Sequence, residues 1–298
     1  MGRIQRVKLS SQAFRIAPEK LRHGHIERHV STSTYLHNSR GVDVYLPPGY
    51  DPHDAFGYPV LYMHDGNNLF FKELAFGGMP WGVDKVLDRL ISLKRIPPLI
   101  VVGVYNTLGR NSEYTWTPMF HHRGREGGEG ALYARYLIDE LMPFIDTHYA
   151  TRQGPQFTGV MGSSLGGLIS FYLGYYYPDV FGRIGMVSPS LWWDHGKPLQ
   201  DARNFPQGLQ LWLDMGTREG LSRGMRVEQN PNLHRVRTLA RVLQHQGYRL
   251  GHDLGYLEDR GALHNEWWWG QRVHLALIFL FGSAASRRRI LRSSKARD

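Results

Sequence analysis

Nearly continuous apolar runs, separated by amphipathic segments, constrain the fold of this chain most strongly. Four such runs are YPVLYMHDG at 58–66, PLIVVGVY at 98–105, RIGMVSP at 183–189 and LQLWLDMG at 209–216. Strands that are buried on both faces of a parallel sheet have this composition, whereas a strand with one face in water alternates between apolar and polar residues. The runs therefore predict strands in the middle of a mostly parallel sheet.

Amphipathic helices are predicted between and after these strands. In WGVDKVLDRLISLK at 81–94, five apolar side chains recur at helical spacing: Val83, Val86, Leu87, Leu90 and Ile91. Similar segments are ALYARYLIDELMPFI at 131–145, NLHRVRTLARVLQHQG at 232–247 and EWWWGQRVHLALIFLFG at 266–282. An alternation of strand and helix along most of a chain is typical of an α/β fold, with helices on both faces of a mostly parallel central sheet.

No linker divides the chain. Its 298 residues contain no Pro/Ser-rich stretch and no internal repeat, and the length suits one large α/β domain or two small ones. We predict a single domain over residues 1–282, of which 1–40 form an N-terminal extension, and a basic C-terminal tail at 283–298. The alternating segment GVDVYLPPGY at 41–50 turns at two prolines, which predicts an edge strand near the start of the sheet.

The composition excludes some kinds of chemistry and bears on the cellular location. The chain has no Cys, which excludes disulfides, thiolate metal ligands and a cysteine nucleophile. The first 21 residues, MGRIQRVKLSSQAFRIAPEKL, lack the apolar core of a secretory signal. No run reaches the roughly 18 apolar residues of a membrane span. We expect a cytoplasmic protein without a membrane partner.

The net charge of +10 raises the question of a nucleic-acid partner. Much of the excess lies in SRRRILRSSKARD at 286–298, a segment that favours a solvated tail. No zinc-finger spacing, RNA-binding motif or basic helix with heptads accompanies it. We therefore expect no nucleic acid as partner, with binding through the tail as the alternative, and the oligomeric state is left open.

Two adjacent serines stand in GVMGSSLGGLISF at 159–171. A nucleophilic serine on a sharp turn between a strand and a helix needs glycine two residues before and after it, because a Cβ there would collide with the neighbouring backbone. Ser164 has Gly162 and Gly166 at these offsets, whereas Ser163 has Met161 and Leu165. Ser164 is therefore the candidate nucleophile.

The segment GLSRG at 220–224 matches the same G-x-S-x-G pattern and provides an internal comparison. Ser222 lies in a polar stretch several residues beyond the nearest predicted strand, and no apolar helix follows it directly. Ser164 instead follows the short strand QFTGVMG and precedes a helix with one apolar face that ends at Pro178. The context favours Ser164 and assigns Ser222 to a surface turn.

A serine nucleophile requires a base, and the base requires a carboxylate to orient it. On an α/β scaffold the chain order is serine, acid, histidine. His264 lies in a Gly-containing loop directly before the last helix and is the candidate base, with His252 as the alternative. Asp214, at the end of the strand 209–216, and Glu219, in the loop after it, compete as the acid. A loop carboxylate can reach across to a histidine loop, which favours Glu219 and keeps Asp214 as the alternative.

Acyl transfer also requires two N–H donors for the oxyanion. One is the amide of Leu165, directly after the nucleophile, and the second is expected in the loop after an early strand. In MHDGNNLF at 63–70, Gly66 allows a sharp turn that brings the amide of Asn67 near the site. His64–Asp65 could instead form half of a metal site, but the sequence offers no second pair at ligand spacing, so we expect no metal.

Several segments in series resemble the putative esterase family of α/β-hydrolases, which includes feruloyl esterases, enterochelin esterase and its relatives, and S-formylglutathione hydrolase. They are VYLPPGYD, YPVLYMHDGNNLF, VVGVYNT, ALYARYLIDELMPFID, GSSLGGLIS, YPDVFG, GTREG and LHNEWWW. The resemblance covers roughly residues 40–282. It implies an α/β-hydrolase fold with Ser164 as nucleophile and His264 as base. It also implies Glu219 as acid, at the fourth position of a Gly-Thr-x-Asp stretch in which Glu here replaces Asp.

The sequence thus predicts a serine carboxylic-ester hydrolase that acts through an acyl-enzyme on a small acyl or aryl ester and needs no cofactor. Tryptophans follow the strand 183–189 and the candidate base, at 192–193 and 267–269, where they would bind an aromatic group or pack into the core. An acyltransferase with the same residues and a non-catalytic ligand-binding homologue are the alternatives.

Overall fold

The structure is a computed structural model that describes residues 4–6, 23–122, 124–222 and 224–287. Within these ranges nine strands form one sheet, in the order β1-β2-β3-β5-β4-β8-β9-β10-β11, and β6 and β7 form a separate hairpin. In chain order the strands are β1 Ile4–Arg6, β2 His25–Thr32, β3 Ser39–Leu46, β4 Val60–His64, β5 Ile100–Val104, β6 Met119–His121, β7 Gly124–Glu126, β8 Thr158–Ser163, β9 Arg183–Val187, β10 Gln210–Gly216 and β11 Leu254–Asp259.

Helices connect the strands and cover both faces of the sheet. They are α1 Val83–Ser92, α2 Arg110–Glu113, α3 Gly130–Arg135, α4 Met142–His148, α5 Leu165–Tyr176, α6 Lys197–Asp201, α7 Pro231–His245 and α8 Glu266–Phe281. A π-helical segment, Tyr136–Leu141, joins α3 to α4. None of these helices is long and apolar enough to cross a membrane.

The six strands from β5 to β11 in the sheet order run parallel. The four apolar runs predict β4, β5, β9 and β10, and the segment QFTGVMG predicts β8, whereas β11 was not predicted. Their side chains alternate between two cores. On β4, Val60 and Tyr62 pack with α5 and α7 residues on one face, whereas Leu61 and Met63 pack with α1 and α8 residues on the other. This mostly parallel sheet, covered on both faces by helices, is the predicted α/β-hydrolase fold.

The N-terminal part of the sheet differs from the prediction. The strand in the segment 41–50 was expected at the edge, but β3 lies between β2 and β5. The outer strands β1 and β2 come from residues 4–6 and 25–32, within the segment predicted as an extension. The prediction missed them because β2, with the sequence HIERHVST, is rich in polar residues. Residues 288–298, which make up most of the predicted basic tail, lie outside the described residues.

The candidate site residues lie at one edge of the sheet, beyond the carboxyl ends of the parallel strands. These carboxyl ends lead into the loops that hold Asn67, Ser164, Ser188, Glu219 and His264. In open α/β sheets this edge is where ligands bind. The fold therefore collects residues that lie far apart in sequence at one position.

Candidate active site

Ser164 occupies a sharp turn between β8 and α5. Its backbone has φ 58° and ψ −120°, a conformation that is unfavourable for a residue with a side chain. The turn is fixed from outside, because the amide of Ser164 donates to the carbonyl of Val187 at 3.0 Å and the amide of Ser190 donates to the carbonyl of Ser164 at 3.0 Å. This is the geometry of a nucleophile elbow.

The two glycines of the elbow are required to different degrees. A Cβ at Gly162 would lie 2.8 Å from the backbone carbon of Gly166, a collision that only a backbone shift could relieve. A Cβ at Gly166 would lie 3.3 Å from the Cβ of His64 and 3.4 Å from a carboxylate oxygen of Asp65, which is tight but not forbidden. The glycine before the serine is therefore the stricter requirement.

The other two candidate serines lie elsewhere. Ser163 is the last residue of β8 and is buried in the sheet, with 4% of its surface exposed. Ser222 lies in an exposed loop, and its carbonyl accepts from the amide of Met225 at 3.1 Å. Neither is in a strand-to-helix turn.

Ser164, His264 and Glu219 lie in one chain of hydrogen bonds. The Oγ of Ser164 is 3.0 Å from Nε2 of His264, and Nδ1 of the same ring is 2.7 Å from Oε2 of Glu219. The imidazole is partly exposed, whereas the Glu219 side chain is buried. A hydroxyl, an imidazole and a carboxylate in this order can transfer the proton of the hydroxyl to the ring.

The carboxylate of Glu219 is held on both oxygens. While Oε2 faces His264, Oε1 accepts from the hydroxyl of Ser188 at 2.7 Å, the amide of Gly216 at 2.8 Å and Nη2 of Arg272 at 2.9 Å. Burial opposes the ionisation of Glu219, but the hydrogen bond with His264 and the positive charge of Arg272 outweigh it, so its pKa lies below the ordinary value. Glu219 is therefore ionised at neutral pH.

The alternative acid and the alternative base take other positions. Asp214 is buried at the end of β10, where its carboxylate accepts from Nε1 of Trp212 at 2.7 Å and Nε of Arg272 at 3.0 Å. Burial raises the pKa of Asp214. His252 lies before β11, at the opposite edge of the sheet from Ser164, and contacts Arg249. The structure thus brings Glu219 and His264 to Ser164, and not Asp214 or His252.

The loop with the second predicted oxyanion donor packs against the elbow. It leaves β4 through Asp65, which has φ 56°, into a short turn at Gly66–Asn68. A Cβ at Gly66 would lie 2.2 Å from the carbonyl carbon of Gly103, so this turn requires glycine. The Asp65 carboxylate is fixed by Arg110, at 2.6 and 2.7 Å.

The two predicted oxyanion donors are backbone amides at the ends of these elements. Leu165 is the first residue of α5, and the first amides of a helix have no acceptor within the helix. Asn67 lies in the turn after Asp65. The role of both amides stays a prediction, as do the roles of the three hydrogen-bonded side chains.

His64 and Asp65, weighed above as half of a metal site, have other partners. The Nδ1 of His64 lies 2.9 Å from the hydroxyl of Tyr133, and burial lowers the pKa of His64 to about 3. Asp65 pairs with Arg110. Both side chains therefore serve to hold the loop between β4 and α1.

Sequence reasoning missed three residues of the site. Ser190 is buried, with its Oγ 3.2 Å from the Oγ of Ser164, and Ser188 and Arg272 contact Glu219. A signal existed for the serines, because SPS at 188–190 stands at the carboxyl end of the predicted strand 183–189, the end at which ligands bind in open α/β sheets. Arg272 could have been noticed as the only charged residue in the stretch WWWGQRVHLALIFLF, since a buried arginine requires a counter-ion.

Comparison with known proteins identifies the family of this chain. The chain is 28% identical over 267 residues to the uncharacterized protein YbbA of Bacillus subtilis, which covers 86% of this chain and 98% of YbbA. It is 29% identical over 243 residues to the iron(III) salmochelin esterase of Escherichia coli O6:H1, which covers 76% of this chain but only 53% of that protein.

A solved structure with the same fold is a ferulic acid esterase from Anaeromyces mucronatus, with a TM-score of 0.65, 19% sequence identity and coverage of 95% of this chain and 100% of that one. The family model described as "Putative esterase" matches residues 33–280, which is most of the chain. The chain therefore belongs to the Putative esterase family.

Proposed function

We propose that this protein is a serine carboxylic-ester hydrolase that acts through an acyl-enzyme on a small acyl or aryl ester. The observation that carries the proposal is the unbroken chain of hydrogen bonds from Ser164 through His264 to the buried, ionised Glu219, at 3.0 and 2.7 Å. Membership of an esterase family supports the same reaction class. The proposal requires no cofactor, and the cytoplasmic location stays a prediction.

The reaction follows from the positions of these groups. As Oγ of Ser164 attacks the ester carbonyl, Nε2 of His264 accepts the hydroxyl proton, and Glu219 stabilises the resulting imidazolium. The carbonyl oxygen gains negative charge, which the amides of Leu165 and Asn67 stabilise. Collapse of the tetrahedral intermediate breaks the bond to the alcohol, which takes the proton from His264. Water then repeats the sequence on the acyl-enzyme and releases the acid.

The surroundings of the site favour an aromatic substrate group. Trp192 and Trp267 are 42% and 46% exposed, which is unusual for such large side chains. Trp192 is two residues from Ser190, and Trp267 is three residues from His264, so each lies close in sequence to a residue that contacts Ser164. Two relatives of this chain are named iron(III) salmochelin esterase and endo-1,4-beta-xylanase/feruloyl esterase. We therefore include aryl esters with simple acyl esters as candidate substrates.

A panel of p-nitrophenyl esters with increasing acyl length, together with methyl ferulate, tests the proposal. Ser164→Ala should lower kcat by about 10³-fold or more, because the nucleophile is lost. Ser222→Ala is the matched control, since it removes the serine of the second G-x-S-x-G sequence, and should retain wild-type rates. Hydrolysis that survives Ser164→Ala, or a wild type that hydrolyses no ester, would refute it. Transfer of the acyl group to an added alcohol in place of water would identify an acyltransferase instead.

A further inference from the structure

Arg272 is a buried cation in an otherwise apolar part of α8. Only 3% of its side chain is exposed, and its neighbours Val273, Ala276 and Leu277 are core residues. A guanidinium is buried only when it is paired and hydrogen-bonded, because its desolvation is costly. Its partners therefore indicate what the residue does.

Those partners are the two carboxylates that competed as the acid in the sequence. The Nε of Arg272 lies 3.0 Å from Oδ1 of Asp214, and its Nη2 lies 2.9 Å from Oε1 of Glu219. Its Nη1 lies 3.5 Å from Oδ2 of Asp259. One guanidinium thus joins Asp214, which does not contact His264, to Glu219, which does.

Ser188 completes the connection. Its hydroxyl accepts from Nη2 of Arg272 at 2.7 Å and from Nε1 of Trp269 at 3.0 Å, and it donates to Oε1 of Glu219 at 2.7 Å. Nη2 of Arg272 and the hydroxyl of Ser188 therefore both donate to Oε1, and Oε2 is directed to His264. The arrangement fixes the rotation of the carboxylate as well as its charge.

We propose that Arg272 is a positioning residue for the triad acid, and that Asp214 anchors it. Arg272 holds Oε1 so that Oε2 meets the imidazole, and its charge keeps Glu219 ionised beside a second buried carboxylate. Asp214 fixes the guanidinium from the other side. This inference rests on the proposed function, because it concerns the acid of that reaction.

The electrostatic part of the proposal distinguishes Arg272 from a residue that only stabilises the fold. Without the guanidinium, Asp214 and Glu219 would be two buried carboxylates with no common counter-ion, and one of them would take up a proton at a higher pH. If Glu219 is protonated, it no longer carries the negative charge that stabilises the imidazolium of His264. As the pH is lowered, activity would then be lost at a higher pH than in the wild type. A purely structural role does not predict this effect.

The test measures kcat, KM and the pH dependence of ester hydrolysis for Arg272→Gln, Asp214→Asn and the double variant Asp214→Asn/Arg272→Gln. We expect Arg272→Gln to lower kcat by about 10²-fold with little change in KM, because Arg272 does not contact the substrate. The acid limb of its pH–rate profile, where activity falls as the pH is lowered, should move up by about one pH unit. This is the lower end of the pKa shift that an adjacent opposite charge causes. The double variant should recover at least about tenfold in kcat, since it removes both charges together.

Arg28→Gln is the matched control, because it breaks another arginine pair with a buried carboxylate, that of Asp43 at 2.7 Å, between β2 and β3. It should leave the acid limb in place. A folded Arg272→Gln with the wild-type pH profile, or a double variant as impaired as the single one, would overturn the inference. If Arg272→Gln does not fold, Arg272→Lys decides, because it keeps the positive charge but not the planar group of N–H donors. A reduced kcat with an unmoved acid limb supports the inference. A wild-type kcat overturns it.

The rate at which a fluorophosphonate inactivates each variant, measured across the same pH range, separates this inference from the proposed function. This rate reports the nucleophilicity of Ser164 without turnover of an ester. A wild type that neither hydrolyses esters nor reacts at Ser164 would refute the function itself. A reactive wild type with an equally reactive Arg272→Gln at every pH would refute only the role of Arg272.

Discussion

Ser164 carries its hydroxyl on a backbone that few residues with side chains adopt. Such conformations cost about 1–3 kcal/mol and persist only when the surroundings fix them. Here the amide and the carbonyl of Ser164 are both held by the strand end and loop at Val187 and Ser190. The strained backbone directs the hydroxyl of Ser164 toward His264. The neighbouring Ser163, in contrast, is buried.

The first prediction at this scale concerns the two elbow glycines. Gly162→Ala should lower the free energy of unfolding by about 1–3 kcal/mol and reduce activity, because its Cβ would push against the backbone of Gly166. Gly166→Ala is the comparison, since its Cβ meets only side-chain atoms at 3.3 Å or more. Urea unfolding of both variants measures the difference. Equal losses in the two would contradict the geometry described here.

A second prediction concerns the buried imidazole of His64. Burial lowers its pKa from 6.5 to about 3, so the unfolded chain binds a proton at this residue between these values while the folded protein does not. Its contribution to stability is complete above pH 6.5 and falls as the pH decreases, by at most about 1.4 kcal/mol per pH unit. Urea unfolding at pH 7 and pH 5 should show a smaller loss for His64→Asn than for the wild type. Identical losses would exclude His64 as the source.

At the scale of elements, α8 shows how much a sequence pattern leaves open. The helix was predicted within a residue of its observed bounds, yet its three consecutive tryptophans differ in environment. Trp269 is buried against Trp81 and the ring of His264, with centroids 5.9 and 4.8 Å apart, whereas Trp267 is exposed. Helical periodicity predicts on which face of the helix a residue lies, but not which residues of other elements it contacts. The role of Arg272 depends on strands and loops that no local pattern connects to it.

The strand β2 leads to a prediction about the N-terminal region. It pairs with β3 along its whole length, and the Nε2 of His29 lies 2.6 Å from the hydroxyl of Tyr149. A chain that begins at residue 33, where the family match begins, should melt at a clearly lower temperature, because it loses the pairing of β2 with β3, which is large relative to a usual margin of stability of about 5–15 kcal/mol. A chain that begins at residue 23 keeps β2 and should melt close to the full chain. Circular dichroism measures both melts, and similar melting temperatures would refute the prediction.

At the scale of the whole molecule, the sequence was most informative where burial is complete. Continuous apolar runs predicted four of the six parallel strands, and the order of serine, acid and histidine predicted which loops meet at the edge of the sheet. The polar outer strand β2 has no such signal. The strand β3 was therefore predicted at the edge of the sheet, although β2 pairs with it on its outer side. The sequence favoured Glu219 over Asp214 as the acid but kept both, because Asp214 lies in the strand and Glu219 lies in the loop after it. Only the three-dimensional structure shows which carboxylate faces His264.

The central claim, that Ser164 forms an acyl-enzyme, can be tested directly by mass spectrometry. The enzyme would be mixed with an aryl ester, quenched in acid within the first turnover and digested, and the peptide with Ser164 would be weighed. The account predicts that this peptide gains the mass of the acyl group, that Ser164→Ala abolishes the adduct, and that Ser222→Ala does not. An adduct on another residue, or hydrolysis by an enzyme that never becomes acylated at Ser164, would contradict it.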